Sequence, residues 1–282
     1  MSVPKRHHYV PQMILNGFTD SDGWLHWCRL RERPVTVRRA RPLELFHQNH
    51  LYSTLSETGA KDPAMEHALS VLESEAVGVV QSILVPAREG RLPVLTSEQK
   101  RLWYIFFLTQ WRRSPETQRA NVSDAEALRM VEDTLDELRQ AAPHRLDEME
   151  ALATADAKAR TVRNVRVQTI GQPSAEVMRV LERRGIAILR IVQPKKSFIV
   201  GSRPVVKLTA PNRTDLNDPT VEMWLPIASD VAVGAGQGDG KISLQDTVDE
   251  RPVRQLNIAI AGQSGTIAAG SAALVKSIAN AR

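Results

Sequence analysis

The stretch KRHHYVPQMILNGF, residues 5–18, sets two adjacent histidines, a tyrosine, a proline and a glutamine ahead of a short apolar run. Pro11 suits the first turn of a helix that carries Met13, Ile14 and Phe18 inward. Free N–H groups at that helix start, with imidazoles and the Gln12 amide beside them, would receive an anion or a phosphate. Imidazole also moves protons near neutral pH, so His8, with His7 next to it, is a candidate general acid/base. Adjacent side chains point apart in regular structure, so the two histidines do not share one metal.

Carboxylates come from DPAMEHALSVLESEAVGVVQSIL, a predicted helix with Asp62 as N-cap and Pro63 at its first position. At helical spacing Glu66 and Glu73 fall within about 20° of each other, in line with Val77 and Leu84 on the flank of the apolar stripe. A carboxylate turned inward needs a cation, a metal or several donors. Glu66, Glu73 and His8 are therefore candidate ligands for a divalent metal, whose presence the sequence leaves open. The bland alternative is that both glutamates reach water from the stripe's edge.

The following helix, SEQKRLWYIFFLTQWRR, is capped by Ser97, ends at Ser114-Pro115 and is apolar on every side from Leu102 to Leu108, which makes it the buried central helix. Arg113 shares a face with Leu102, Phe106 and Thr109, with Gln110 close by, while Arg112 points elsewhere. An inward guanidinium here either closes a structural ion pair or grips a substrate.

These residues must be positioned by a chain of 282 residues, 42% of them hydrophobic, enough for one large core. The expected fold is α+β in a single domain over 1–282: an N-terminal motif and hairpin (1–55), a helical core (62–184), and C-terminal strands and helices (186–282). Polar helices are predicted over 116–141 and 144–159, a short helix over 175–184, and strands at IAILRIV, SFIVGS, PVVKL, VEMWLPI and DVAVGAG. Helices near 253–262 and 267–279 close the chain, and the strands at its two ends are candidates to share a sheet.

One cysteine, Cys28, excludes a disulfide framework and points to the cytoplasm. No run of eighteen apolar residues suggests a membrane span. The net charge of +5 favours anionic partners, and arginines outnumber lysines 28 to 9. Six of the arginines lie between Arg29 and Arg41, where WLHWCRLRER and VTVRR read as a hairpin interrupted at Pro34, with Glu32 the one acid among them. That hairpin is either a nucleic-acid surface or an edge strand kept soluble by charge. GAGQGDG at 234–240 lacks the spacing of a dinucleotide fingerprint and reads as a flexible turn. HQNHLY, with His47, Asn49 and His50, faintly resembles the downstream part of an HNH nuclease with His8 as the upstream histidine, without the compact spacing.

HHYVPQMILNGF resembles the opening signature of the bacterial domain-of-unknown-function 4238 family. The resemblance extends to the helix bearing Glu66 and Glu73, to Gln110-x-x-Arg113-Ser114-Pro115, to FIVGSRPVV, and to WLPI followed by SDVAV. Members generally carry an aspartate where this chain has Ser202, so an acid there is either lost or, if it caps a turn, replaced in kind by serine. The family brings no established reaction.

Two functions are expected from these residues. The first is an intracellular bacterial enzyme acting on a phosphate-containing substrate, a nuclease or nucleotide hydrolase. In it His7, His8, Glu66 and Glu73 are catalytic or metal-binding, and Gln12, Gln110, Arg113 and Ser202 hold the substrate. Phage defence or a toxin system is its setting by analogy with other orphan families. The second is a non-catalytic module that binds nucleic acid or protein, in which the histidines, glutamates and arginine form a buried network fixing the N-terminus onto the helical core.

Overall fold

The computed structural model describes residues 5–172, 174–209 and 215–281. From the N-terminus, β1 (Arg6–His8) leads through α1 (Gln12–Leu15) to β2 (Leu25–Arg29), β3 (Arg38–Ala40), β4 (His47–Asn49), β5 (Thr54–Leu55) and β6 (Lys61–Asp62). The helical middle holds α2 (Ala64–Arg88), α3 (Ser97–Arg112), α4 (Pro115–Asn121), α5 (Asp124–Ala141), α6 (Leu146–Ala153), α7 (Ala155–Ile170) and α8 (Ala175–Arg184). Then come β7 (Ile186–Ile191), β8 (Val200–Gly201), β9 (Val206–Leu208), β10 (Glu222–Pro226), β11 (Val231–Ala235), β12 (Ile242–Thr247), α9 (Glu250–Gln263), β13 (Thr266–Ala269) and α10 (Ala272–Asn280). This is an α+β fold.

Strands from the two ends of the chain do share a sheet, in the order β3-β2-β13-β8, with Ile267 opposite Cys28 and Ala269 opposite His26. A second sheet runs β12-β7-β11-β10-β9, antiparallel except where β12 lies parallel to β7. Its strand β11, VAVGA, is buried at every residue, as expected of a run with apolar or small residues on both faces. Helix α2 packs on β7, β11 and α3, and the buried Trp103, Phe106, Phe107 and Leu108 of α3 fill the centre. By length and composition α2 is long and apolar enough to cross a membrane, yet here Leu69, Ile83 and Leu84 are buried within the protein.

Several elements differ from the sequence-based expectation, each for a local reason. The predicted 116–141 and 144–159 helices are four, because Ser123 and Thr154 accept the N–H groups of Glu126 and Ala157 and start new helices. Thr96, not Ser97, caps α3, in a reciprocal pair with Gln99. Ile267–Ala269 is strand rather than helix, and Ser271 caps α10. The half-exposed β12 escapes a reading by apolar runs because its alternation is largely polar. Val77 is exposed rather than inward.

The glycine-rich run is close-packed at Gly234 and Gly236, where it wraps the start of β7, and open at Gly238. Gly236 donates to the Gly185 carbonyl, and a Cβ on Gly236 would lie 2.3 Å from the Arg184 carbonyl oxygen. The Arg184 side chain, 2% exposed, reaches through this wrap to the carbonyls of Gly236 at 2.7 Å, Val221 at 2.7 Å and Leu216 at 3.2 Å. Replacing it strands buried carbonyls. Arg184→Met should lower stability by about 3 kcal/mol, read as a lower urea midpoint at unchanged slope, with Arg184→Lys recovering little. A wild-type midpoint for Arg184→Met would refute this role.

Candidate functional site

The opening block is held by strand pairing. β1 pairs with β4, setting His7 opposite Gln48 and His8 opposite His47. Strand alternation then sends the two histidines apart: His7 is fully buried, and His8 is partly exposed with its ring 5.4 Å from that of His47. His8 Nε2 lies 3.2 Å from the Leu43 carbonyl. Burial lowers its pKa, with the Leu43 carbonyl opposing.

His7 faces the helical core. Its Nδ1 accepts the Tyr52 N–H at 3.0 Å, and its ring stacks on Tyr52 with centroids 5.8 Å apart. Nδ1 is thereby the acceptor, which puts the proton of the neutral ring on Nε2. Glu66 Oε2 approaches the same Nδ1 to 3.3 Å but makes no hydrogen bond among the described residues. Burial raises Glu66 to about 7; Arg113 opposes the shift and Glu73 adds to it.

Arg113 closes the network. Its guanidinium, 1% exposed, donates to Glu73 Oε1, to the His8 carbonyl, and from Nε to the Tyr52 hydroxyl at 3.1 Å. Burial disfavours the charge, but the Tyr52 oxygen and the Glu73 carboxylate more than offset this, so its pKa is raised. The Tyr52 hydroxyl, pushed up to about 12 by burial, donates to the Arg113 carbonyl at 3.1 Å. The segment bearing Tyr52 is fastened from behind by α7. Arg163 donates to the carbonyls of His50 and Ser53, and the Asn164 amide makes paired 2.8 Å bonds to Leu55.

Of the residues singled out from the sequence, His7, Glu66, Glu73 and Arg113 come together, and His8 joins them through its backbone. The His8 ring lies on the other side of its strand, so the pairing of His8 with Glu66 is made by His7 instead. Gln110 is fully buried near this face of α3, and neither of its amide atoms is hydrogen-bonded among the described residues. Gln12 is exposed at the start of a helix of four residues, too short to build the anion pocket expected there. Among the described residues, no three histidine, cysteine, aspartate or glutamate side chains converge to hold a metal, so His8, Glu66 and Glu73 do not form the expected ligand set.

Ser202 belongs to an adjoining joint. Its Oγ donates to Glu116 Oε2 at 2.8 Å and accepts the N–H groups of Gly265 at 3.1 Å and Thr266 at 3.2 Å, while its carbonyl accepts Ser114 Oγ at 2.7 Å. An aspartate at 202 would set a second carboxylate against that of Glu116, whereas the serine hydroxyl donates to it. The sequence reading missed Glu116 and Tyr52. Glu116 lies one residue past the flagged Gln110–Pro115 segment, at the start of a helix read as solvated, and Tyr52 ends the HQNHLY stretch weighed for nuclease character alone.

The structure thus defines an α+β protein whose polar centre joins an N-terminal strand, the long core helix α2 and the end of the central helix α3 through one desolvated arginine. The family model described as "Protein of unknown function (DUF4238)" matches residues 6–272, and the chain belongs to that family. No curated protein and no solved structure matches it.

Arg113→Met would take the guanidinium donors from the His8 carbonyl and the Tyr52 oxygen and leave Glu73 without its cation, while the bond from the Tyr52 hydroxyl to the residue-113 carbonyl remains. The expected loss is about 3–5 kcal/mol, measured by urea unfolding; a loss under about 1 kcal/mol would contradict the assignment. Glu66 gives a pH signature. Between its ordinary value of 4.5 and about 7 the folded chain keeps a proton that the unfolded chain has released, so stability falls as pH rises through that window. Glu66→Gln should therefore match the wild type near pH 4 and exceed it at pH 8, by on the order of 3 kcal/mol. Parallel curves for the two proteins across that range would disprove the perturbed carboxyl.

Proposed function

We propose that this protein binds nucleic acid through the β2–β3 hairpin, and that the His7, Glu66, Glu73 and Arg113 network is the clasp that fixes the N-terminal strand to the core. The observation that carries this is the stacking of arginines on tryptophans at the sheet edge. The guanidinium carbons of Arg39 and Arg41 lie 4.6 Å and 3.8 Å from the Trp24 ring centroid, and that of Arg38 lies 5.3 Å from the Trp27 centroid. Such stacking holds guanidinium groups in place with N–H edges available for phosphate. Arg31 and Arg39 are exposed and have no carboxylate within ion-pair distance among the described residues, whereas Arg29 and Arg38 share Glu32. Backbone neutralisation by such a patch is sequence-independent and falls with salt.

A second reading is supported by one feature: a carboxyl poised near neutrality, Glu66, stands 3.3 Å from a buried imidazole nitrogen. A carboxyl of that kind is suited to general acid/base work in phosphodiester hydrolysis.

One experiment separates the readings. Labelled single- and double-stranded DNA and RNA are titrated with wild type, Arg31→Ala/Arg39→Ala and Glu66→Gln at rising salt, with cleavage followed in Mg²⁺, Mn²⁺ and EDTA. Binding that weakens uniformly across sequences in the double variant, with a salt slope smaller by about 2, and no cleavage, supports the clasp and hairpin. Undiminished binding in that variant removes the hairpin. Cleavage lost in a folded Glu66→Gln protein favours the hydrolase.

A further inference from the structure

Away from this network, α4, α5, α6 and α7 line a cavity of about 730 Å³ that is half open to solvent. That is within the range of about 300–1,000 Å³ found for small-molecule sites. Its two ends differ in chemistry. Arg166 bonds Asp124 and Lys158 pairs with Glu132, so α5 and α7 run antiparallel along it. Near the start of α5 the lining is polar, with Arg112, Gln118 and Asn121; toward the end of α5 it is Leu135, Leu138 and Leu152. From Ala127 to Leu138, the lining residues on α5 span about 16 Å at the helical rise.

Two further observations concern what occupies it. Met130, Leu138, Leu152 and Val165 line the cavity and are between 41% and 57% exposed, large side chains that an isolated helical face would ordinarily cover. Arg112, at the polar end, is half-buried and bonds the Gln172 carbonyl at 2.8 Å, but no carboxylate pairs with it among the described residues. Burial alone lowers its pKa. A half-buried guanidinium with no acid beside it among the described residues suits an anion, and its planar edge suits a carboxylate in two-point contact. Arg166 is already committed to Asp124 and the Val122 carbonyl.

The geometry points to a ligand site in which an elongated aliphatic chain lies along α5 and its terminal carboxylate is held by Arg112. The ligand class is a medium-chain alkyl carboxylate, and the site is independent of the nucleic-acid reading above.

The test uses the full chain and three probes of equal chain length, dodecanoate, dodecyl phosphate and dodecanol, titrated by calorimetry below their aggregation concentrations. Dodecanoate should bind, more tightly than dodecanol. Arg112→Met should weaken dodecanoate by about tenfold or more and leave dodecanol unchanged. Val131→Trp, which fills the middle of the cavity, should abolish binding of both while melting no lower than wild type. Tighter binding of dodecyl phosphate, with the same Arg112 dependence, would overturn the carboxylate assignment in favour of a phosphate head. Equal binding of all three probes, binding of none, or indifference to Arg112→Met would refute the site. So would a dimer that dissociates on Val131→Trp, which would make this face a contact between copies.

Discussion

A single guanidinium taken out of water sets the terms for the centre of this protein. Arg113 at the end of α3 is buried with its charge retained, which is tolerable only because a carboxylate, a carbonyl and a phenolic oxygen surround it. Those three partners come from α2, β1 and the segment after β4. Satisfying one charge therefore fixes the mutual placement of elements that lie 40, 61 and 105 residues away in the chain. The fastening of Tyr52 by Arg163 and Asn164 serves the same end from the other side, since a hydroxyl that wandered would leave the guanidinium short of an acceptor.

The next residues extend the joint. Ser114 and Glu116, directly after Arg113, bond Ser202 and Gly265, so the end of α3 and the start of α4 are tied to the sheet that unites the chain's two ends. The hairpin of β2 and β3 sits in that sheet with β13. The arginine face is thus carried on a strand whose register is set by C-terminal residues, which gives its guanidinium groups a fixed platform. The clasp and the hairpin are mechanically linked without sharing residues.

Within the clasp the balance is uneven. Arg113 and Glu73 are paired, while Glu66 is left with a buried oxygen beside a histidine nitrogen already engaged by a backbone N–H. A carboxyl in such a place costs stability when ionised. Gln110, one turn from Arg113, likewise has no hydrogen-bond partner for its amide among the described residues.

The sequence by itself determined the α+β class, the buried course of α3, the inward direction of Arg113, the divergence of His7 from His8, and the family, while it left open whether Glu66 and Glu73 turn inward or reach water. These follow from periodicity, capping residues and a distinctive opening motif, all local along the chain. It could not determine that His7 rather than His8 meets Glu66, because that depends on which face of β1 turns inward once β4 pairs with it. Nor could it show that Arg113 is saturated by Tyr52 and a backbone carbonyl, that Ser202 answers Glu116, or that Arg112, with no carboxylate partner among the described residues, lines the groove along α5. Each of these rests on contacts between distant segments, and such contacts are decided by how the helices and two sheets close around one another, a collective packing outcome that local spacing does not encode.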